Sequence, residues 1–220
     1  MIKKVKTTEL FEKRADFIGE LLDSTEYPWE ILPKIKDFIN DTIKNGISGY
    51  REYSKGVLIG ENVKIYPTAT IEAPCIIGDN TEIRPGAFVR GNVIIGKNCV
   101  IGNSTEVKNS VILDFVQIPH YNYVGDSVLG NHSHMGAGAV CSNLKSDGKN
   151  IVIHSDKDYE TGLRKIGGIL GDNADVGCGS ILNPGTVIGK NTSVYPLTQL
   201  RGVYPENAIV KSPQNIVLRK

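Results

Sequence analysis

Ile77-Gly78-Asp79-Asn80-Thr81-Glu82-Ile83-Arg84-Pro85-Gly86-Ala87-Phe88-Val89-Arg90-Gly91-Asn92-Val93-Ile94-Ile95 repeats one pattern three times: an aliphatic residue, a small one four places on, and the next aliphatic after six. The step continues outward to Ile71, Ile65 and Ile59 on one side and to Ile101, Val107 and Leu113 on the other. A second run passes through Leu170, Val176, Leu182, Ile188, Val194 and Leu200. Strands alternate every two residues and helices repeat about every 3.6, so neither holds a period of six for this long. Such repetition marks a hexapeptide parallel β-helix, in which each unit supplies a short strand and a corner and three units close a triangular coil. Small residues such as Ala69, Cys75, Thr81, Ala87, Cys99, Thr105, Ala174, Ser180 and Thr192 then suit a narrow interior. Corners such as Gly78-Asp79-Asn80 and Gly171-Asp172-Asn173 suit left-handed backbone conformations. The expected fold is mainly β: a left-handed parallel β-helix with an N-terminal α-helical segment.

The chain has 220 residues, enough for one such solenoid plus a small appendage. A net charge of +1 gives no general attraction to nucleic acid or to an anionic membrane. The start, Met1-Ile2-Lys3-Lys4-Val5-Lys6, runs into charged residues instead of an apolar signal core, which predicts a cytoplasmic protein. Cys75, Cys99, Cys141 and Cys178 lack Cys-x-x-Cys spacing, and the first two fall on interior positions, so reduced packing thiols are expected.

Residues 1–50 differ in character from the repeat. Leu10, Phe11, Phe17, Ile18, Leu21 and Leu22 share one helical face, and a second helix carries Ile31, Leu32, Ile35, Phe38, Ile39 and Ile43, starting near Pro33 and stopping at Gly46. These helices are expected to cap the open end of the solenoid, with a partner-docking hairpin as the alternative. The β-helix is expected over 51–210 and a C-terminal tail over 211–220. The register breaks after Leu113, where the next aliphatic slot holds Pro119, and again over about 143–167, a polar loop that leaves the coil. Function is expected near these two breaks.

Gly102-Asn103-Ser104-Thr105-Glu106-Val107-Lys108-Asn109-Ser110, then Ile118-Pro119-His120-Tyr121-Asn122-Tyr123-Val124-Gly125-Asp126-Ser127, Met135-Gly136-Ala137-Gly138 and Asn143 carry a resemblance. From about Gly56 onward the chain resembles the acetyltransferase half of the bifunctional UDP-N-acetylglucosamine pyrophosphorylase/glucosamine-1-phosphate N-acetyltransferase family, in its archaeal-type form. Nothing here resembles the Gly-rich nucleotide loop of the pyrophosphorylase half.

The resemblance implies acetyl transfer from acetyl-CoA to the amine of a hexosamine 1-phosphate, without a metal in the chemistry. It assigns the general base to His120, and an imidazole can take up a proton at neutral pH. It assigns phosphate binding to Lys108 and Tyr123 together with an arginine, and Glu106, Asn143 and the loop lysine Lys149 to the substrate. Two arginines compete for the remaining place. Arg84 copies the local Arg-Pro motif, whereas Arg90 precedes Lys108 by 18 residues, one full coil, which puts both cations on one face and favours Arg90. His134 stands where the family has an asparagine near the reacting amine, which leaves open a different substrate contact, a second base or a surface histidine. Ala137, Ser180 and Lys211 are implied for the coenzyme, held in the groove between neighbouring β-helices of a homotrimer.

Two other readings remain open. A zinc hydratase on this fold would need three spaced histidines, and His132 and His134 are only two apart. A β-helix without catalysis would serve as a trimerising or sugar-nucleotide-binding partner of a separate nucleotidyltransferase.

Overall fold

The computed structural model describes residues 4–219; Met1, Ile2 and Lys3 of the basic start, and Lys220, lie outside the described residues. Two nine-stranded sheets, each with one antiparallel edge strand (Arg51–Ser54 and Asn215–Leu218) and eight parallel rungs, and one seven-stranded sheet form the three walls of a parallel β-helix, so seven coils are complete and an eighth is partial. Equivalent residues pair in register from coil to coil: Cys75, Ile76 and Ile77 on Val93, Ile94 and Ile95 in the first sheet, and Thr70, Ile71 and Glu72 on Phe88, Val89 and Arg90 in the third. The repeated aliphatics and the small residues Cys75, Ala87, Cys99 and Ala174 are buried in one continuous core. Corner asparagines Asn62, Asn80, Asn98, Asn173, Asn191 and Asn207 have positive φ, as turning the chain in so few residues requires.

The expected break after Leu113 is a change of step instead. Pairing runs 18 residues per coil up to Ile77↔Ile95 and 17 at Ile95↔Ile112, because one corner is a residue shorter. Ile112, Ile118 and Val124 therefore face the core, and Gln117–His120 and Tyr123–Gly125 are regular rungs. Val111-Ile112-Leu113 offers three aliphatics in succession, so counting by six selects the wrong one. Leu113 is buried on the outside, in a second apolar layer.

That layer also corrects the expected end cap. Leu58, Ile76, Ile94, Val111, Val128, Ile169, Val187 and Val203 point outward from the first sheet, and Leu10, Phe11, Ile18, Leu21, Leu22, Trp29, Ile31, Leu32, Ile35 and Ile39 cover them. A sheet that is aliphatic on both faces needs a second layer along its side. Val63, Ile65, Ala69 and Ile71 of the first coil remain only partly buried. The first expected helix is two pieces, Thr7–Leu10 and Phe17–Asp23. Between them Arg14 leaves helical geometry to pair with Asp16 and Asp114. The second is a 3-10 turn, Pro28–Lys34, leading into Ile35–Asn45, which stops at Gly46 with φ 78°.

The polar loop is an ordered arm: Val152–His154 pairs antiparallel with Asp158–Glu160, and Leu144 bridges to Lys165. Ile151, Ile153 and Ile166 join the outer layer, while Tyr159 meets the stacked pair Tyr27 and Trp29 edge-on. The expected C-terminal tail is a hairpin, with Ala208–Ser212 paired to Asn215–Leu218. No helix among the described residues is long and apolar enough to cross a membrane.

Candidate functional site

The third sheet carries the polar face. Its outward positions form two columns, and register places Glu106 between Phe88 and Tyr123 in one, while Lys108 lies opposite Gly125 in the other. Arg90 shares this sheet, pairing with Glu72, and its guanidinium meets the Glu106 carboxylate at 2.7 Å. That hydrogen bond raises the pKa of Arg90. Arg84 is elsewhere: it follows Glu82–Ile83 of the second sheet and pairs with Glu82 at 3.4 Å.

Asp126, 5% exposed, organises the neighbouring coils. Lys108 Nζ lies 3.4 Å from its carboxylate, Asn109 Nδ2 donates to it at 2.9 Å, and Asn143 Nδ2 donates to its other oxygen. A buried carboxylate without such partners would be costly. Asn143 also donates to the Tyr123 hydroxyl at 3.2 Å. Burial pushes the Tyr123 hydroxyl above its ordinary range, and the nearby Glu106 and Asp126 carboxylates add to the effect. Gly125 leaves room for this junction, since a Cβ there would lie 2.6 Å from the Tyr123 hydroxyl and 2.8 Å from Asn143 Nδ2. Arg90, Glu106, Lys108, Tyr123 and Asn143 thus form one patch, with Asp126 as a member that sequence reasoning missed. Asp126 lay inside the supposed break, where no position could be assigned.

His120 ends the Gln117–His120 strand at the corner leading into this sheet, and its side chain is exposed. Its N–H donates to Asn122 Oδ1 at 3.1 Å and its carbonyl accepts from Gly138 N at 3.0 Å. Asn122 is buried and donates to the carbonyls of Gly136 and Ala139, so the corner is held from within. His120 and Lys108 lie at opposite ends of the strands of this sheet, which are three residues or roughly 10 Å long.

His134 is on the second sheet, with Nδ1 2.8 Å from Asp175 Oδ1, apart from the patch. His132 stacks on Phe115 and His154 pairs with Asp158 in the arm, so the histidines are dispersed. Ala137 is exposed beside the His120 corner. Ser180 is fully buried, its hydroxyl donating to the Tyr195 carbonyl at 3.1 Å, so it cannot touch a coenzyme. Cys178, two residues earlier, is exposed, and its neighbour Gly179 donates to the Ala137 carbonyl at 2.8 Å. The signal was in the repeat: Ser180 is four residues after Val176, an interior position, whereas Cys178 is two after it. Lys149 is exposed on the arm and Lys211 is exposed on the Ala208–Ser212 strand, which belongs to the second sheet.

Fold and site together define a hexapeptide-repeat β-helix with a polar, hydroxyl-bearing patch on one wall, in which two cations are paired with two carboxylates. Residues 71–158 match the family described as the GMPPB C-terminal domain. The chain is similar to the C-terminal, acetyltransferase-type part of bifunctional GlmU proteins. It is 32% identical over 199 residues to the bifunctional protein GlmU of Methanococcus maripaludis, covering 88% of this chain and 48% of the relative. It is 36% identical over 88 residues to a bifunctional sugar-1-phosphate nucleotidylyltransferase/acetyltransferase of Sulfurisphaera tokodaii, covering 40% of this chain and 22% of that one. The chain therefore spans about half the length of the curated relatives it matches, or less. Among solved structures, a UDP-N-acetylglucosamine acyltransferase from Campylobacter jejuni aligns with a TM-score of 0.49 at 16% identity, covering 76% of this chain and 71% of that one.

Proposed function

We propose that this chain transfers an acetyl group from acetyl-CoA to the amine of a sugar that carries an anomeric phosphate, a hexosamine 1-phosphate being the smallest such acceptor. The observation that carries the reading is the convergence of Arg90, Lys108, Tyr123 and Asn143 around Glu106 and Asp126. Two cations one coil apart suit a phosphate, which would compete with Glu106 for Arg90. The hydroxyl and amide of Tyr123 and Asn143 suit the sugar.

In this mechanism the amine nitrogen attacks the thioester carbonyl, the N–C bond forms and the C–S bond breaks. His120 accepts the proton that the amine loses, and a proton returns to the departing thiolate of CoA. Orientation by the phosphate patch contributes the rest. His120 lies about a strand length from Lys108, so we assign part of the site to a neighbouring copy in a homotrimer, with the pantetheine arm passing Ala137 and Cys178. Lys211 and Lys149 remain candidates for the coenzyme phosphates and the substrate phosphate, delivered across that boundary.

Thiol release on mixing acetyl-CoA with glucosamine 1-phosphate or galactosamine 1-phosphate tests the reading, with His120→Ala beside the wild type. Turnover that falls by about a hundredfold or more in the variant is expected. Absence of turnover with every amino sugar in a folded protein would favour a non-catalytic partner of a nucleotidyltransferase. That second reading draws on the in-chain pairing of Arg90 and Lys108 with Glu106 and Asp126.

A further inference from the structure

A groove of about 660 Å³ opens next to Lys108, over the corner where the third sheet turns into the first. Asn92, Asn109 and Asp126 form its floor, successive corner residues with positive φ. Asp126 is also the carboxylate that holds Lys108, so the groove begins where the phosphate patch ends. One bank is the helical layer, through Leu32, Pro33 and Lys36, and the other is the arm, through Leu144, Leu163, Arg164 and Lys165.

Its charge is lopsided. Lys36, Arg164 and Lys165 are exposed, and none has a carboxylate partner among the described residues; Arg164 donates only to the Gly148 carbonyl at 3.0 Å. The single carboxylate in the groove, Asp126, is already matched by Lys108 and two side-chain amides. Unpaired cations beside a phosphate patch suit further phosphate, while Leu32, Pro33, Leu144 and Leu163 provide an apolar wall for a flat ring. The volume lies within the roughly 300–1,000 Å³ range of small-molecule sites.

We propose that this groove binds the second phosphate and the nucleoside of a nucleoside-diphosphate amino sugar, so that the preferred acceptor is the nucleotide-linked sugar and not the free 1-phosphate. The inference rests on the function proposed above for the Arg90 and Lys108 patch. It gives the helical layer, through Lys36, a part in choosing the substrate.

Calorimetric titration of the whole chain, without acyl donor, would compare uridine, adenosine, guanosine and cytidine diphosphates with glucosamine 1-phosphate and inorganic phosphate. At least one nucleoside diphosphate should bind about tenfold or more tightly than the sugar phosphate. Joint Lys36→Glu and Lys165→Glu substitution should weaken it by more than about tenfold with an unchanged melting temperature, since both residues are exposed. Arg164→Ala alone gives a milder second variant should the double reversal perturb folding. Nucleoside diphosphates that bind no better than the 1-phosphate, or equally well to the altered groove, overturn the inference. Acetyl transfer to the 1-phosphate with a kcat/KM above that of the nucleotide sugar overturns it while leaving the transferase reading intact. Groove-dependent nucleotide binding without any acetyl transfer removes the transferase reading and upholds the groove.

Discussion

Asn143 donates its side-chain amide to the Tyr123 hydroxyl across 3.2 Å, and that bond ties the root of the arm to the third sheet. The same nitrogen reaches Asp126, which in turn holds Lys108 and Asn109. The patch and the arm are therefore one mechanical unit.

Gly125→Ala tests this junction. A methyl group there would lie 2.6 Å from the Tyr123 hydroxyl, closer than a side chain can approach without displacement. The tyrosine and Asn143 must move apart, so KM for the sugar phosphate should rise about tenfold or more, with a stability loss of about 1–3 kcal/mol. Kinetics and thermal melting on one preparation would check both, and unchanged KM would remove Tyr123 and Asn143 from the site.

Thiol labelling tests the proposed path of the pantetheine arm. Cys178 is exposed, whereas Cys75, Cys99 and Cys141 are buried and burial pushes their thiols up, to about 12 for Cys99 and Cys141. One thiol should react quickly in the folded protein, because the thiolate is the nucleophile. Saturating acetyl-CoA should slow that reaction about tenfold or more; an unchanged rate would place the pantetheine arm away from Ala137 and Cys178.

The two apolar layers can be compared at adjacent residues. Ile94 faces the helical layer, Ile95 faces the solenoid core, and both are fully buried. Ile94→Ala and Ile95→Ala should each cost about 2–5 kcal/mol in denaturant unfolding. A cost below about 0.5 kcal/mol for Ile94→Ala would show the helices to be a loosely held appendage.

Acid should loosen the helical layer first near Arg14. Burial alone would raise the pKa of Asp16, but hydrogen bonds from Arg14 and from the Gly19 N–H outweigh it and hold the carboxyl below its ordinary value. A carboxyl depressed in the folded state contributes stability above its unfolded pKa and loses it as pH falls through the folded one. Amide protection over residues 7–23, taken relative to the intrinsic exchange rate, should therefore fall as the pH drops below about 4. Asp16→Asn should remove part of that dependence, and an identical profile in the variant would assign it to other carboxyls.

Within the site, legibility followed the repeat. Arg90 was separable from Arg84 because residues one coil apart share a face, a relation that counting expresses directly. Ser180 falls on an interior position by the same counting, which conflicts with the coenzyme contact that the resemblance implies, whereas Cys178, two residues after Val176, reaches the surface. Asp126 gave no sign of its role, since a shortened corner had removed the frame needed to locate it.

The chain by itself determined the β-helix, its interior residues and most of its coil register, because each inward side chain touches its counterparts one repeat away. Periodicity is then a direct record of contact. Tertiary structure alone decided which of Val111, Ile112 and Leu113 turns inward, that the helices cover a side wall, and that Asn143 meets Tyr123 and Asp126. The first two depend on what covers the outside of an aliphatic sheet, and the third on an arm leaving and rejoining the coil at one wall, neither of which is expressed in a local six-residue pattern.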